Sequence, residues 1–204
     1  MHKNISSKIG RGLYLGILYL LYRPKVIYTD PSVKEKIKSG RNIIISNHVS
    51  HNDGQIFYLC FPGSGLTIAK DWMDKGILKW ITAGGNFIPV NRFGTDISWI
   101  RTASDMIKAG RNLIIFPEGK TSKGEMNEFK SGFAMLAAMT GSDMIYAFND
   151  GQYHRLFGRR LRIYVGGVAA LTPEGRSMNA DYLNAEAARF QEMIQQLKEE
   201  HTND

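Results

Sequence analysis

The sequence contains one cysteine, Cys60, so it cannot form an intramolecular disulfide. A chain without disulfides is typical of a reducing compartment. The sequence also lacks an apolar run that could cross a bilayer, because the stretch at residues 13–22 falls short of the about 20 residues that a spanning helix needs. No internal repeat and no linker rich in proline, glycine or serine divides the 204 residues. These absences favour a single domain with a full-sized core.

Acidic residues are absent from two basic segments, residues 1–25 and 151–162. The net charge of the chain is +7, yet the rest of the sequence has 17 basic against 19 acidic residues. The excess of positive charge is therefore confined to two patches. Such patches indicate surfaces that meet an anionic partner, either nucleic acid or phospholipid headgroups.

The first basic segment favours phospholipid. Its stretch LYLGILYLLY at residues 13–22 is apolar and rich in tyrosine, and Arg11 and Arg23 flank it. This pattern is typical of a helix in the membrane interface. A signal peptide is disfavoured because Arg23-Pro24-Lys25 follows in place of a small-residue cleavage site. We therefore predict a membrane-interface segment at residues 1–24 and a folded domain at 25–204. The alternative is an amphipathic helix that packs only on its own domain.

Apolar runs rich in β-branched residues alternate with segments of helical spacing along the rest of the chain. The spacing predicts helices that follow an N-cap at Asp96, that cover residues 129–140 and that cover residues 183–197. Strands that alternate with helices predict an α/β domain with a mixed, mostly parallel sheet flanked by helices. The predicted strands lie at residues 42–46, 66–69, 87–90, 112–116, 144–148 and 161–165.

Two predicted strands end in polar residues, and chemistry in such sheets usually lies beyond the carboxyl ends of the strands. The first ends in Ser46-Asn47-His48-Val49-Ser50-His51-Asn52-Asp53. His48 and Asp53 can meet only if His48 lies on the turn and Asp53 on the first turn of the next helix. A carboxylate on one imidazole nitrogen fixes the tautomer and makes the other nitrogen more basic. The pair is a candidate general base with its partner. A turn-capping histidine beside an unrelated aspartate is the alternative.

The second strand end reads Phe116-Pro117-Glu118-Gly119-Lys120-Thr121-Ser122. Gly119 would let the backbone approach a ligand closely, and amides there would receive a phosphate or a developing oxyanion. Glu118 is a candidate to bind substrate hydroxyls. The alternative is a tight turn in which Glu118 caps the next helix.

Together these motifs resemble those of the glycerolipid acyltransferase family, of the lysophosphatidic acid acyltransferase type. The resemblance rests on Asn47-His48-x-Ser50-x-x-Asp53 followed by Phe116-Pro117-Glu118-Gly119, and it covers roughly residues 40–170. Further blocks that are similar to the family's are Gly85-Asn86-Phe87-Ile88-Pro89-Val90-Asn91-Arg92, Phe129-Lys130-Ser131-Gly132 and a strand that ends in glycine at Val165-Gly166-Gly167.

The resemblance implies an acyl transfer in which each matched residue has a role. His48 would deprotonate a hydroxyl of the acceptor, and Asp53 would orient the imidazole and stabilise the imidazolium. The alkoxide would attack an acyl thioester, either acyl-CoA or acyl carrier protein, without a metal or a resident cofactor. Glu118 and Gly119 would position the acceptor and help the oxyanion, and Arg92 would bind the acceptor phosphate. The other residues expected to contact substrate are Asn47, Ser50, Lys120, Thr121 and Ser122.

The resemblance also implies an acceptor and a place. The acceptor would be a lysophospholipid such as 1-acylglycerol-3-phosphate, and the enzyme would be peripheral or monotopic on the cytoplasmic face of the membrane. Two departures bear on the acceptor: Lys120-Thr121-Ser122 stands where the family usually has Thr-Arg-Ser, and Met144–Asn149 lacks the family's proline. A different lysolipid, such as a lyso-amino-lipid, therefore stays open.

Two other classes of function compete with acyl transfer. A nucleic-acid-binding module would use the same basic segments, but no helix-turn-helix, zinc-finger or aromatic ribonucleoprotein pattern supports it, and we expect no nucleic-acid partner. A metal-dependent hydrolase would take His48, His51 and Asp53 as ligands, although three-ligand sites normally draw on separated elements. We expect His51 to be exposed to solvent.

Overall fold

The computed structural model shows how the short apolar runs pair into strands. It describes residues 2–73, 76–83, 85–91, 97–122, 124–154, 156, 158–172 and 179–202. The strands in these ranges are β1 (Lys25–Tyr28), β2 (Ile43–Ser46), β3 (Gly65–Ala69), β4 (Phe87–Val90), β5 (Leu113–Ile115), β6 (Met144–Asn149) and β7 (Arg162–Ala169). The helices are α1 (His2–Tyr22), α2 (Ser32–Ser39), α3 (Asp53–Cys60), α4 (Lys70–Met73), α5 (Gly76–Thr82), α6 (Ser98–Lys108), α7 (Gly132–Thr140) and α8 (Ala180–His201).

The strands form one sheet in the order β1-β7-β6-β2-β5-β3-β4. Every neighbouring pair is parallel except β6 and β7, which are antiparallel. This sheet confirms the predicted α/β fold with a mixed, mostly parallel sheet. Strand β2 lies at the centre, between β5 and β6. Because β2 and β5 are parallel neighbours, their carboxyl ends, which lead into the two polar motifs, lie side by side.

Helices cover both faces of the sheet, and the side chains of each strand divide between two cores. Ile43 and Ile45 of β2 face the core that contains α6, α7 and α8, whereas Ile44 faces the core that contains α1, α2 and α3. This division follows from the two-residue period of a strand, which sends successive side chains to opposite faces. A central strand that is buried on both faces therefore needs the continuous apolar run that the sequence shows.

Strand β7 runs further than the sequence predicted. It continues as far as Ala169, so Gly166 and Gly167 lie inside the strand and do not end it. The ring of Tyr146 on β6 lies across both glycines, and a side chain at Gly166 would collide with it. Pairing of β6 with β7 shifts register between Tyr146 and Ala147. The glycines are therefore needed for close packing of a side chain on the strand.

Strand β1 and helix α2 are among the elements that were not predicted, and two predicted helix starts differ. Strand β1 is a short, half-exposed edge strand, and helix α2 is polar, with Val33 as its buried residue. Helix α7 begins at Gly132, so the buried Phe129 precedes it. Asp96, the predicted N-cap of α6, lies outside the described residues, and α6 follows Ile97. The apolar pattern was too short to mark β1 and α2, and it began too early to mark the start of α7.

The N-terminal helix α1 is longer than the apolar stretch that predicted it. One face packs against α3 and α5 and buries Leu18 and Tyr22. The opposite face carries side chains that are each more than half exposed, and we call it the apolar stripe of α1: Ile9, Leu13, Ile17 and Leu20. No helix in the described ranges is both long enough and apolar enough to cross a membrane. The predicted N-terminal helix is confirmed, and its placement in a membrane interface stays a prediction.

Candidate active site

The turn between β2 and α3 brings His48 and Asp53 together. Strand β2 ends at Ser46, and Asp53 is the first residue of α3. Nδ1 of His48 lies 2.8 Å from Oδ2 of Asp53. The side chain of His48 is 19% exposed, and that of Asp53 is 0% exposed. The pair therefore lies at the carboxyl edge of the sheet, with a buried carboxylate under a partly accessible imidazole.

One carboxylate oxygen of Asp53 is held by the turn itself. Oδ2 accepts hydrogen bonds from the backbone N–H groups of Val49 (2.7 Å) and Ser50 (2.9 Å) as well as facing His48. Because a carboxylate can only accept, the hydrogen between the two side chains belongs to Nδ1 of His48. This tautomer leaves Nε2 of His48 with a lone pair that can take a proton.

The other carboxylate oxygen of Asp53 is held from the end of β6. Asn149, the last residue of β6, donates from Nδ2 to Oδ1 at 2.8 Å, and the hydroxyl of Tyr153 donates a hydrogen bond to the same oxygen. These partners lie 96 and 100 residues from Asp53 along the chain. No local sequence signal marks contacts of this separation, so sequence analysis missed both residues.

The loop after β5 holds the backbone of His48 on both sides. Oε1 of Glu118 accepts from the His48 N–H at 2.6 Å. The His48 carbonyl accepts from the N–H of Ser122 at 2.6 Å and from its hydroxyl at 3.1 Å. Oε2 of Glu118 accepts from the backbone and side-chain amides of Asn127, at 2.7 and 2.8 Å. The second motif therefore fixes the position of the residue at the centre of the first.

A cavity of about 480 Å³ lies beside the imidazole. The ring of Phe116 stacks on that of His48, with centroids 4.7 Å apart. The polar residues that line the cavity include Lys120, Thr121 and Lys130. Its apolar lining includes Ile68, Trp72, Leu78, Trp99, Ile115 and Phe133. An apolar cavity with a few polar groups next to a candidate base is the usual form of a substrate site.

Residues 29–148, more than half of the sequence, match the family model for acyltransferases. The chain belongs to the acyltransferase family. The matched region contains both polar motifs and the strands that lead into them. This finding confirms the family resemblance that the motifs predicted and shows that the protein is an acyltransferase.

The fold of this acyltransferase is also seen in a solved structure. The crystal structure of the 1-acyl-sn-glycerophosphate (LPA) acyltransferase PlsC from Thermotoga maritima is similar, with a TM-score of 0.60 and 20% sequence identity. The similarity covers 94% of this chain and 82% of that chain. It therefore includes nearly the whole α/β domain of the acyltransferase.

Three residues that were expected to contact substrate are buried and form hydrogen bonds with other residues of the acyltransferase. Asn47, Glu118 and Ser122 are 2%, 2% and 6% exposed. Asn47 donates from Nδ2 to the carbonyl of Asn149 at 3.0 Å and accepts from its N–H at 2.8 Å. Buried polar side chains must find such partners. We interpret these three residues as supports of the loops that carry His48, and their expected contact with substrate stays a prediction.

Two further residues of the acyltransferase motifs take part in turns. Ser50 Oγ accepts from the N–H of Asn52 at 3.2 Å, and the N–H of Gly119 donates to the carbonyl of Phe116 at 3.1 Å. Both groups therefore have partners within their turns, and the expected contacts of Ser50 with substrate and of the Gly119 amide with an oxyanion stay predictions. Gly119 has φ +68°, and a side chain there would also press on Lys130 Nζ. The positive φ is the reason that glycine is favoured at this position, since the end of the Lys130 side chain can move.

Cationic side chains of the acyltransferase reach the cavity from two places. Lys120 follows the β5 motif, and Lys130 precedes α7. Lys120 and Thr121 were expected from the sequence; Lys130 was noted as part of a motif but not as a site residue. Arg92, the expected phosphate ligand, lies outside the described residues.

The positions of His51 and Asp53 bear on the alternative of a metal-dependent hydrolase, which would use both as metal ligands with His48. His51 is exposed, as expected, and its ring packs on Trp72 with centroids 4.4 Å apart. In the described ranges, no group of three or more histidine, cysteine, aspartate or glutamate side chains could hold a metal ion. Both oxygens of Asp53 accept from N–H or O–H donors, an arrangement that suits a hydrogen-bonded carboxylate better than a cation ligand.

Proposed function

We propose that the protein transfers a fatty acyl group from an acyl thioester to a hydroxyl of a lysophospholipid, such as 1-acylglycerol-3-phosphate, at a membrane surface. The observation that carries this proposal is the His48–Asp53 pair beside an apolar cavity that two lysines also reach. The solved structure of similar fold is that of a 1-acyl-sn-glycerophosphate acyltransferase, which supports the same class of acceptor.

The chemical step follows from the tautomer of His48. Nε2 takes the proton of the acceptor hydroxyl as its oxygen attacks the thioester carbonyl carbon. Asp53 stabilises the imidazolium that forms. When the tetrahedral intermediate collapses, the new C–O bond remains, the C–S bond breaks, and the thiolate takes the proton from Nε2. The step returns His48 to its starting state and needs no resident cofactor; the donor, acyl-CoA or acyl carrier protein, is a substrate.

The lining of the cavity suits both the fatty acyl chain and the phosphate group of the substrates. Its apolar lining suits a fatty acyl chain, since burial of methylene groups is favourable. Lys120 and Lys130 suit the acceptor phosphate, and Arg92 remains a proposed phosphate ligand because its guanidinium can bind two phosphate oxygens. A lyso-amino-lipid with an acidic group would use the same cations and is therefore the second acceptor to test.

Contacts at the end of α1 support a membrane-facing surface. The second basic segment lies against that end: Arg160 Nε donates to the Arg23 carbonyl at 3.0 Å, and the N–H of Leu156 donates to the Leu21 carbonyl at 3.0 Å. The side chain of Leu156 is half exposed. The two basic segments therefore meet at the end of α1, the helix that carries the apolar stripe. Apolar side chains flanked by cations suit an anionic bilayer surface, here proposed as the cytoplasmic face.

Release of free thiol from the acyl donor tests the catalytic part of this proposal. We expect the purified protein to release thiol from acyl-CoA or acyl carrier protein only when a lysolipid acceptor is present. His48→Ala should lose about 10² to 10⁴ of the rate, the usual contribution of a general base. His201→Ala, which removes an imidazole from α8, is the matched control and should keep the rate. Full activity in a folded His48→Ala variant would end the proposal, and a panel of lysophospholipids and lyso-amino-lipids identifies the acceptor.

Vesicle flotation tests the membrane part separately. Leu13→Glu with Ile17→Glu should reduce binding to vesicles that contain anionic lipid, because it places charge in the apolar stripe of α1. Met139→Glu is the matched control, since Met139 is equally exposed on α7 but lies outside the stripe. Unchanged flotation of the α1 variant would show that the stripe does not meet the membrane.

A further inference from the structure

We infer that Tyr153 is a positioning residue for the His48–Asp53 pair: its hydroxyl, with Asn149, fixes the Asp53 oxygen that faces away from the imidazole. The inference rests on the proposed function, because it assigns Tyr153 to the same acid–base pair. Tyr153 lies beyond residues 29–148, the region that matches the family model. Neither the family match nor the local sequence therefore points to it.

The loop after β6 is built to hold Tyr153 in place. Asn149 Oδ1 accepts from the N–H of Gly151 at 3.0 Å, and Asp150 Oδ1 accepts from the N–H groups of Gln152 (3.0 Å) and Arg162 (3.2 Å). Gly151 has φ +69°, which lets the chain turn back. Each side-chain oxygen thus bonds to a residue two positions on, which makes the loop a compact turn and presents the phenol to Asp53.

The hydrogen bonds of the phenol oxygen define its role as a donor. Asn149 Nδ2 donates to the Tyr153 hydroxyl at 3.2 Å, so the hydroxyl hydrogen is directed to Asp53 Oδ1. Burial, and then the negative charge of Asp53, raise the pKa of Tyr153 well above its ordinary value. The phenol therefore stays protonated at any pH at which acyl transfer would be measured, and it can always donate.

The ring of Tyr153 is fixed by a second aromatic residue. It packs edge-on against Tyr22, the last residue of α1, with centroids 5.0 Å apart and planes at 84°. The hydroxyl of Tyr22 accepts from Asn52 Nδ2 at 3.2 Å. With the ring held on one side and Asn149 on the other, the carboxylate of Asp53 keeps Oδ2 directed at His48. Preorganised hydrogen bonds of this kind act in the transition state because no rearrangement is needed when charge forms.

Tyr153→Phe and its matched control, Tyr164→Phe, test the inference. Tyr164 is also buried, and its hydroxyl accepts from Arg162 Nη1 at 2.9 Å. Phenylalanine fills the same space, so each variant removes one hydroxyl and keeps the aromatic ring. We expect Tyr153→Phe to lower kcat roughly tenfold or more with little change in KM, because it removes a hydrogen bond to a charged group that never touches substrate. Tyr164→Phe should leave kcat unchanged. Equal kcat values in the two folded variants would overturn the inference.

Proton NMR gives a readout that a merely structural role would not move and that needs no substrate. The His48 Nδ1–H, bonded to Asp53, should give a downfield resonance that shifts in Tyr153→Phe and not in Tyr164→Phe. An unmoved resonance in Tyr153→Phe would overturn the inference. In the unmodified protein the Tyr153 hydroxyl hydrogen should exchange slowly with water, and rapid exchange would also overturn it. A protein that shows these resonances but no acyl transfer to any lysolipid would instead refute the proposed function.

Discussion

Replacing Asp53 by asparagine removes the charge of the buried carboxylate and keeps the size of the side chain. The new amide has one oxygen and one NH₂ group. Three donors face the position of Oδ2, and two face that of Oδ1. We expect the amide oxygen to take the position with more donors, beside His48. The imidazole then keeps its tautomer, and what is lost is the attraction between imidazolium and carboxylate.

The size of the lost attraction follows from the distance between the two charges. Two unit charges about 4 Å apart attract by ~4 kcal/mol at the effective dielectric constant of about 20 that suits partly exposed pairs. Since a change of about 1.4 kcal/mol in the barrier is tenfold in rate, kcat should fall about 10³-fold in Asp53→Asn. KM should change little, because the attraction exists only once His48 is protonated. The amide NH₂ would face Asn149 Nδ2, another donor, so the free energy of unfolding should also fall, by about 1–3 kcal/mol.

Steady-state thiol release, with circular dichroism to confirm folding, measures this prediction. Asp105→Asn is the control, because Asp105 is exposed on α6 and its removal changes the net charge equally. A folded Asp53→Asn variant with a kcat close to that of the unmodified protein would refute the assignment of the pair. A rise in KM alone would show that Asp53 shapes the acceptor site and does not support proton transfer.

Three further predictions concern the cavity and the core. Lys120→Ala and Lys130→Ala should each raise KM for a phosphorylated acceptor about tenfold or more at nearly constant kcat, because they remove binding shared by ground and transition states; a change in kcat alone would contradict this. Burial raises the pKa of Cys60 to about 12, so a disulfide reagent should label it slowly at pH 8 and rapidly after unfolding, and fast labelling of the native protein would count against its burial. Ile163→Ala should lower the free energy of unfolding by about 2–5 kcal/mol, measured by urea denaturation, since Ile163 is fully buried in β7; a loss well below that range would mean that the core collapses around the site.

The parts of the fold that the sequence predicted are those with strong local patterns. The run Ile43-Ile44-Ile45 marked a strand buried on both faces, and the spacing around Phe133 marked a helix. Strand β1 was missed because its four residues form a half-exposed edge, with no alternation long enough to recognise. Local pattern is informative only where many residues of one element share one environment.

The site was predictable only as far as its residues lie close together in the sequence. His48 and Asp53 are five residues apart, so the geometry of one turn decides whether they meet. Tyr153 and Asn149 reach Asp53 only because β6 lies next to β2 in the sheet. For Glu118 the acidic character predicted a ligand contact, which stays a prediction. The sequence did not reveal that its buried carboxylate accepts from three N–H donors of the protein.

The hydrogen bonds of Glu118 and Ser122 to the backbone of His48 matter for any attempt to build this site into another protein. The turn after β2 supplies the imidazole. The N–H and carbonyl groups of the same residue are held by hydrogen bonds to a segment some 70 residues later in the chain. Grafting the turn that carries His48 into another scaffold would therefore leave the imidazole poorly positioned unless residues 118–122 were grafted with it. For the same reason, a substitution that moves the backbone of one segment should require a compensating substitution in the other.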